Sequence, residues 1–161
     1  MIPSFKIGNR DKLYVSKKYL CNGHWLINRE APQTFNFRPL KRAADLKEGS
    51  YNFGIGGGWD SDHQPNYEQV IPKRDKYVKL LEAAQRVAFR DGEDKIMAYV
   101  FKPLDGPDFE IGVAPHYVPL MRLGNCFAKD ELSPVLILDG PTINDNLIGV
   151  VMPIRIKEPK K

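Results

Sequence analysis

Cysteine is scarce in this 161-residue chain: Cys21 and Cys126 are the only two, far apart and in no CxxC pattern. That excludes a disulfide scaffold and argues against a structural zinc site, so reduced, packed thiols are expected. No run of about 18 apolar residues, the length a membrane-spanning helix needs, is present. The opening string Met1-Ile2-Pro3-Ser4-Phe5-Lys6 lacks the basic start and apolar stretch of a secretory signal, which points to a cytoplasmic location and no membrane partner. No Ser/Gly linker divides the chain, so 1–161 is expected to form one domain. The string Leu-Asp-Gly-Pro, at 104–107 and again at 138–141, reads as shared turn chemistry and not as a duplication.

What is present is a globular composition, 42% hydrophobic, 27% charged and 11% aromatic. A chain of this length hides about 70% of the surface its unfolded form exposes, so it needs neither metal nor disulfide to fold. The net charge of +4 is unevenly spread. Residues 1–50 carry ten Lys/Arg against four Asp/Glu, and residues 101–154 carry three against seven. The last seven residues return to basic, with four against one. A polarised chain suits contact with phosphates on one side only, although chance asymmetry on a solvated surface gives the same pattern.

The elements are short. Leu13, Val15 and Tyr19 lead into Asn22-Gly23, the strongest short hairpin signal, and His24-Trp25-Leu26-Ile27 leads out, giving a hairpin over 12–28. Arg38 to Lys47 reads as a short helix closed by Gly49, followed by a strand from Tyr51 to Ile55. The spacing of Tyr77, Leu80, Leu81, Ala84, Val87 and Ala88 predicts a helix over 75–90, closed by Asp91-Gly92. Strands are expected over 96–101, 109–113, 135–138 and 147–156, with a short helix over 115–123 that contains Pro119. The fold class expected is α+β: antiparallel sheets with two or three short helices.

Three motifs bear on chemistry. Gly54-Ile55-Gly56-Gly57-Gly58 resembles a phosphate loop only in composition, because Trp59-Asp60 follows where a helix start or a Lys-Ser/Thr pair is required. Asp60, Asp62 and His63 supply three potential ligands in four residues, enough for a metal-dependent hydrolase if further carboxylates converged, yet such loops are more often only solvated. His24 and His116 have no neighbouring Ser or Cys nucleophile in sequence, so capping and packing are their expected roles. At the end of the chain, Pro153 cannot donate to a ladder. Val150 to Ile156 should therefore lie at an edge or leave the sheet, exposing Met and Ile where a partner could dock.

Three segments carry a resemblance. Ile111-Gly112-Val113-Ala114-Pro115-His116-Tyr117-Val118-Pro119-Leu120-Met121, then Ser133-Pro134-Val135-Leu136-Ile137, then Gly149-Val150-Val151-Met152-Pro153-Ile154-Arg155-Ile156, resemble the last third of the bacterial and phage-type DNA polymerase sliding clamp, the β subunit. Upstream, Pro65-Asn66-Tyr67-Glu68-Gln69-Val70-Ile71-Pro72-Lys73 is similar to the segment joining that family's middle and last domains. The likeness covers 65–156, with 1–64 matching loosely and 157–161 a basic tail. Family members carry three such domains per chain, whereas this chain has material for about one, so the resemblance implies a minimal or rearranged clamp-like domain.

That resemblance implies a processivity factor without covalent chemistry or cofactor. It would self-assemble around duplex DNA, read no base sequence, and tether DNA polymerase or other proteins bearing a clamp-binding motif. Phosphate contacts fix position without specifying sequence. The candidates to face the duplex are Lys41, Arg42 and Lys47 on the first helix, Lys76, Lys79, Arg86 and Arg90 on the long helix, and Arg122 on the last. The family's client groove, carried over position by position, falls on Pro72, Tyr117, Val135, Val151, Met152, Pro153, Ile154, Arg155 and Ile156. Two alternatives stand beside the ring: a clamp-like interaction module or inhibitor that keeps only the groove, and a metal-dependent hydrolase using the loop at 60–63.

Overall fold

Gly23 adopts φ 92°, and the Asn22 side-chain carbonyl accepts from the backbone N–H groups of His24 and Trp25, both at 2.9 Å. The Asn22 side chain thus holds the turn, with Gly23 and not Asn22 in the left-handed region. The computed structural model describes residues 12–40, 46–52, 59–60, 67–90, 94–154 and 156–157. Its strands are β1 (Lys12–Val15), β2 (Tyr19–Cys21), β3 (Trp25–Asn28), β4 (Gly49–Asn52), β5 (Trp59–Asp60), β6 (Val78–Arg90), β7 (Asp94–Pro103), β8 (Ile111–Val113), β9 (Asn125–Ala128), β10 (Val135–Leu138), β11 (Leu147–Val151) and β12 (Ile156–Lys157).

All registered pairings are antiparallel, and the strands follow the order β5-β4-β1-β2-β3-β11-β10-β9-β6-β7-β8, with β12 pairing β6. Helical structure is slight. Among the described residues there are helices at Pro32–Asn36, Tyr67–Val70 and Val118–Met121, with 3₁₀ turns at Arg38–Leu40 and Pro115–Tyr117. The sheet dominates, so the α+β expectation holds only loosely. None of these helices is long and apolar enough to cross a membrane.

The predicted helix over 75–90 is corrected: this stretch is the longest strand of the fold. β6 pairs with β7 from Leu80 opposite Pro103 to Arg90 opposite Asp94, with a bulge between Glu82 and Ala84. The i, i+3, i+4 apolar spacing fitted a helix, but strand 94–103 lies alongside and its backbone pairs with this stretch in place of the i→i−4 bonds a helix would make. Lys76, at φ 64°, also turns the chain where a right-handed helix could not pass. Of the predicted helix over 38–47, Arg38–Leu40 forms a 3₁₀ turn, and residues 41–45 lie outside the described residues. Val135–Leu138 forms the expected strand, and the expected strand over 147–156 ends at Val151 and resumes only at Ile156.

Period-two alternation divides the apolar residues between the two faces of the sheet. Leu13, Val15, Trp25, Ile27, Val135 and Ile137 enter one cluster, capped by Tyr99, Phe101, Ile111, Val118 and Leu120. Tyr19, Cys21, Leu26, Leu136, Leu138 and Val150 enter the other, against Tyr77, Val70 and Ile71. With both faces covered, the central strands read as near-continuous apolar runs. An extra residue in β11, Ile148, shifts the register so that Leu138 pairs Leu147 while Ile137 pairs Gly149. Gly149 lies so close to β3 that a Cβ would stand 2.6 Å from the Leu26 carbonyl oxygen and 2.6 Å from Ile27 Cδ1.

Candidate peptide-docking site

The end of β11 meets the β2–β3 turn. Val151 pairs with Trp25, and the Met152 N–H donates to the His24 carbonyl at 2.9 Å. Pro153 follows and, lacking an N–H, cannot extend the ladder. The chain then crosses to β8, where the Ile154 N–H donates to the Gly112 carbonyl at 2.9 Å, and reaches β6, with Ile156 opposite Arg90. Pro153 therefore marks the switch from pairing beside β3 to pairing with β8 and β6. Ile154 pairs with β8 and Ile156 with β6, so β6, β7, β8, residue 154 and residues 156–157 form a closed ring of pairings.

Beside that switch lies a small apolar recess of about 90 Å³, lined by Tyr14, Cys21, Gly23, Trp25, Leu26, Val70, Val150 and Met152. Met152, at 36% exposure, forms its rim, whereas Leu26, at 0%, and Val150, at 1%, form its floor. Burial pushes the Cys21 thiol up from its ordinary value, and a backbone hydrogen bond at Gly23 offsets part of that. The thiol stays neutral and acts as an apolar wall. A recess of this size and lining can seat one aliphatic side chain, and its lining holds no carboxylate, imidazole or amine.

The groove residues named from the sequence do not gather here as a unit. Met152 is on the rim and Pro153 bounds it in sequence. Val135 and Val151 are corrected: both are 0% exposed and face each other across β10 and β11 in the first core cluster, with no surface to offer a ligand. Tyr117 packs half-buried on that same cluster, its ring 4.1 Å from His116. Pro72 is half-buried after the helix Tyr67–Val70, and Ile154 is half-buried at its bridge to Gly112. Arg155 lies outside the described residues, and Ile156 is placed by its backbone pairing alone. Tyr14, Cys21, Trp25, Leu26 and Val70 complete the recess but were not singled out in the sequence. Their one legible signal was the Asn22-Gly23 hairpin, which fixed where β2 and β3 turn.

The DNA-facing candidates scatter. Lys47 is exposed before β4, and Lys76 occupies the left-handed turn before β6. Lys79 lies on β6, not on a helix, and Arg122 binds both carboxylate oxygens of Glu82, at 3.0 and 3.2 Å. Arg86 and Arg90 fall on β6 with only their backbone described, and Lys41 and Arg42 lie outside the described residues. Of the acidic loop, Asp60 pairs with Ser50 through its backbone, while Asp62 and His63 lie outside the described residues. Among the described residues no group of three potential metal ligands forms. No protein-family model, curated protein or solved structure matches this chain.

Proposed function

We propose that the chain is a non-enzymatic, clamp-like interaction module that holds a partner protein by a short peptide with an apolar end, taken up in the recess beside Met152. One observation carries this reading. The Val-Met-Pro string of the clamp resemblance coincides with the point where the chain leaves the sheet and an apolar recess opens. A peptide recognised there would contribute one buried aliphatic side chain and would bind weakly and reversibly, as a tether requires. The ring-forming processivity factor is the less favoured form of the same reading. Its basic lining was to come from a long helix, and that stretch is β6.

The test uses the full chain and a labelled peptide rich in Gln and Leu and ending in Leu-Phe, titrated by fluorescence anisotropy. Saturable binding that Met152→Ala weakens supports the module. Binding that is absent, or indifferent to Met152→Ala and Val70→Ala, overturns it. Light scattering on the same samples separates its two forms: a closed oligomer that survives dilution favours the ring, and a monomer favours the module alone.

A further inference from the structure

Among the described residues, β6 has one edge filled and one largely open. On the filled edge, β7 pairs from Leu80 through Arg90, and the Leu104 N–H extends the contact to the Lys79 carbonyl at 2.8 Å. On the other edge, β9 pairs only with Val78 and Lys79, and β12 only with Phe89 and Arg90. Among the described residues no strand occupies that edge between Leu80 and Ala88. At about 3.3 Å per residue this is roughly 30 Å of strand edge. A long open edge presents a row of backbone donors and acceptors that only another extended backbone satisfies fully, and folded proteins normally cover one.

At the near end of this gap β6 and β9 splay apart. The ladder would continue onto Cys126 and Asn125, and instead a recess of about 390 Å³ opens between Leu80–Glu82 and Gly124–Cys126, floored by Phe101 and Met121. Its floor is apolar: Leu80, Phe101 and Met121 are 4%, 5% and 2% exposed, and Leu81 stands at the rim with half of its surface in solvent. Buried Cys126 donates its thiol hydrogen to the Met121 carbonyl at 3.2 Å and its thiol pKa is pushed up to about 12, so it adds no charge there. At the mouth, Arg122 is taken up by Glu82 at 3.0 Å, whereas Lys79 makes no salt bridge with any described residue.

From these features we infer that the fork between β6 and β9 is a second docking site, which takes an extended segment of a partner protein as an added strand on β6. Backbone pairing at Leu80 and Glu82, whose N–H and C=O groups point away from β7, holds the segment, an aliphatic side chain enters the recess over Phe101 and Met121, and a neighbouring acidic residue meets Lys79. This is strand addition, in which main-chain hydrogen bonds supply affinity and a side-chain pocket supplies selectivity. The site stands apart from the recess at Met152 and does not depend on the function proposed there.

The test applies a five-residue capped peptide, Asp-Val-Ile-Val-Asp, to the isotope-labelled full chain, with Lys-Val-Ile-Val-Lys as its charge-reversed control. Amide shifts centred on Leu81, Glu82 and Asn125 are expected, with the acidic peptide binding about tenfold more tightly at low salt and that advantage fading as salt rises. An N-methylated version of the acidic peptide, unable to donate to the edge, should not bind. Leu81→Glu, a substitution at an exposed rim position, should weaken the acidic peptide at least as much as charge reversal does. Three results would overturn the inference. Shifts could fall elsewhere, including at Met152, or Leu81→Glu could leave binding unchanged. The Leu80 and Glu82 amides of the free protein, which point away from β7, could also resist hydrogen exchange strongly, meaning that the edge is already covered by this chain or by a second copy.

Discussion

Adjacent residues Val151 and Met152 should respond to truncation in opposite ways. Val151 is 0% exposed, pairs with Val135 on one side and Trp25 on the other, and lies in the first core cluster. Val151→Ala removes two methyl groups, worth about 0.8 kcal/mol each in transfer from water, or roughly 1.6 kcal/mol. β10 and β3 hold the backbone on both sides, so the site collapses poorly and the cavity adds about 1 kcal/mol more. A loss of about 2 to 3 kcal/mol follows, seen as a lower urea midpoint at unchanged slope and a Tm lower by about 5 to 10 °C. Met152, on the recess rim, should lose less than about 1 kcal/mol of stability on conversion to Ala. Its peptide affinity should nevertheless fall about tenfold, equivalent to about 1.4 kcal/mol. Urea titration and peptide anisotropy on both variants read the contrast. If Val151→Ala bound peptide more weakly while keeping full stability, Val151 would line a groove and its placement in the core would be wrong.

Other expectations follow from single contacts. Gly149→Ala should cost about 1 to 3 kcal/mol, because the new methyl meets the main-chain oxygen of Leu26, which cannot rotate away; a urea midpoint unchanged from the parent would contradict that close approach. The Cys126 thiol, ordinarily near 9, is pushed to about 12, first by burial and then by the charge of Glu82. Between those values the folded chain holds a proton that the unfolded chain has released. The contribution is therefore complete below about pH 9 and is lost as the pH rises towards 12, and a Cys126→Ala variant should lack that part of the alkaline decline in a pH series of urea melts. The same burial predicts that neither Cys126 nor Cys21 reacts with Ellman's reagent until the protein unfolds. Tyr77 donates its hydroxyl to the Pro134 carbonyl at 2.9 Å, so Tyr77→Phe should cost about 1 kcal/mol in the same urea assay.

Local chemistry fixed the parts of this fold that depend on few residues. Asn22-Gly23 dictates a turn because its backbone geometry is intrinsic to those two residues, and Pro153 dictates a break because it carries no donor. The run Val135–Leu138 declares a strand, and it is one, buried on both faces. The long segment 78–90 shows where such chemistry stops being sufficient: its apolar spacing serves a helix as well as a bulged strand. Pairing with 94–103, a partner that only the folded chain brings alongside, decided the matter. The same limit applies to the candidate sites. The exposed Met152 and the departing strand were visible in the sequence, but the burial of Val151 beside it was not, because which of two adjacent residues faces water is set by register across β3, β10 and β11. The recess itself is made by residues from β1, β2, β3, β11 and the helix at 67–70, and so is the open edge of β6 made by where β9 and β12 stop. Spacing along the chain carries no record of either, since both are distances between segments that meet only in three dimensions.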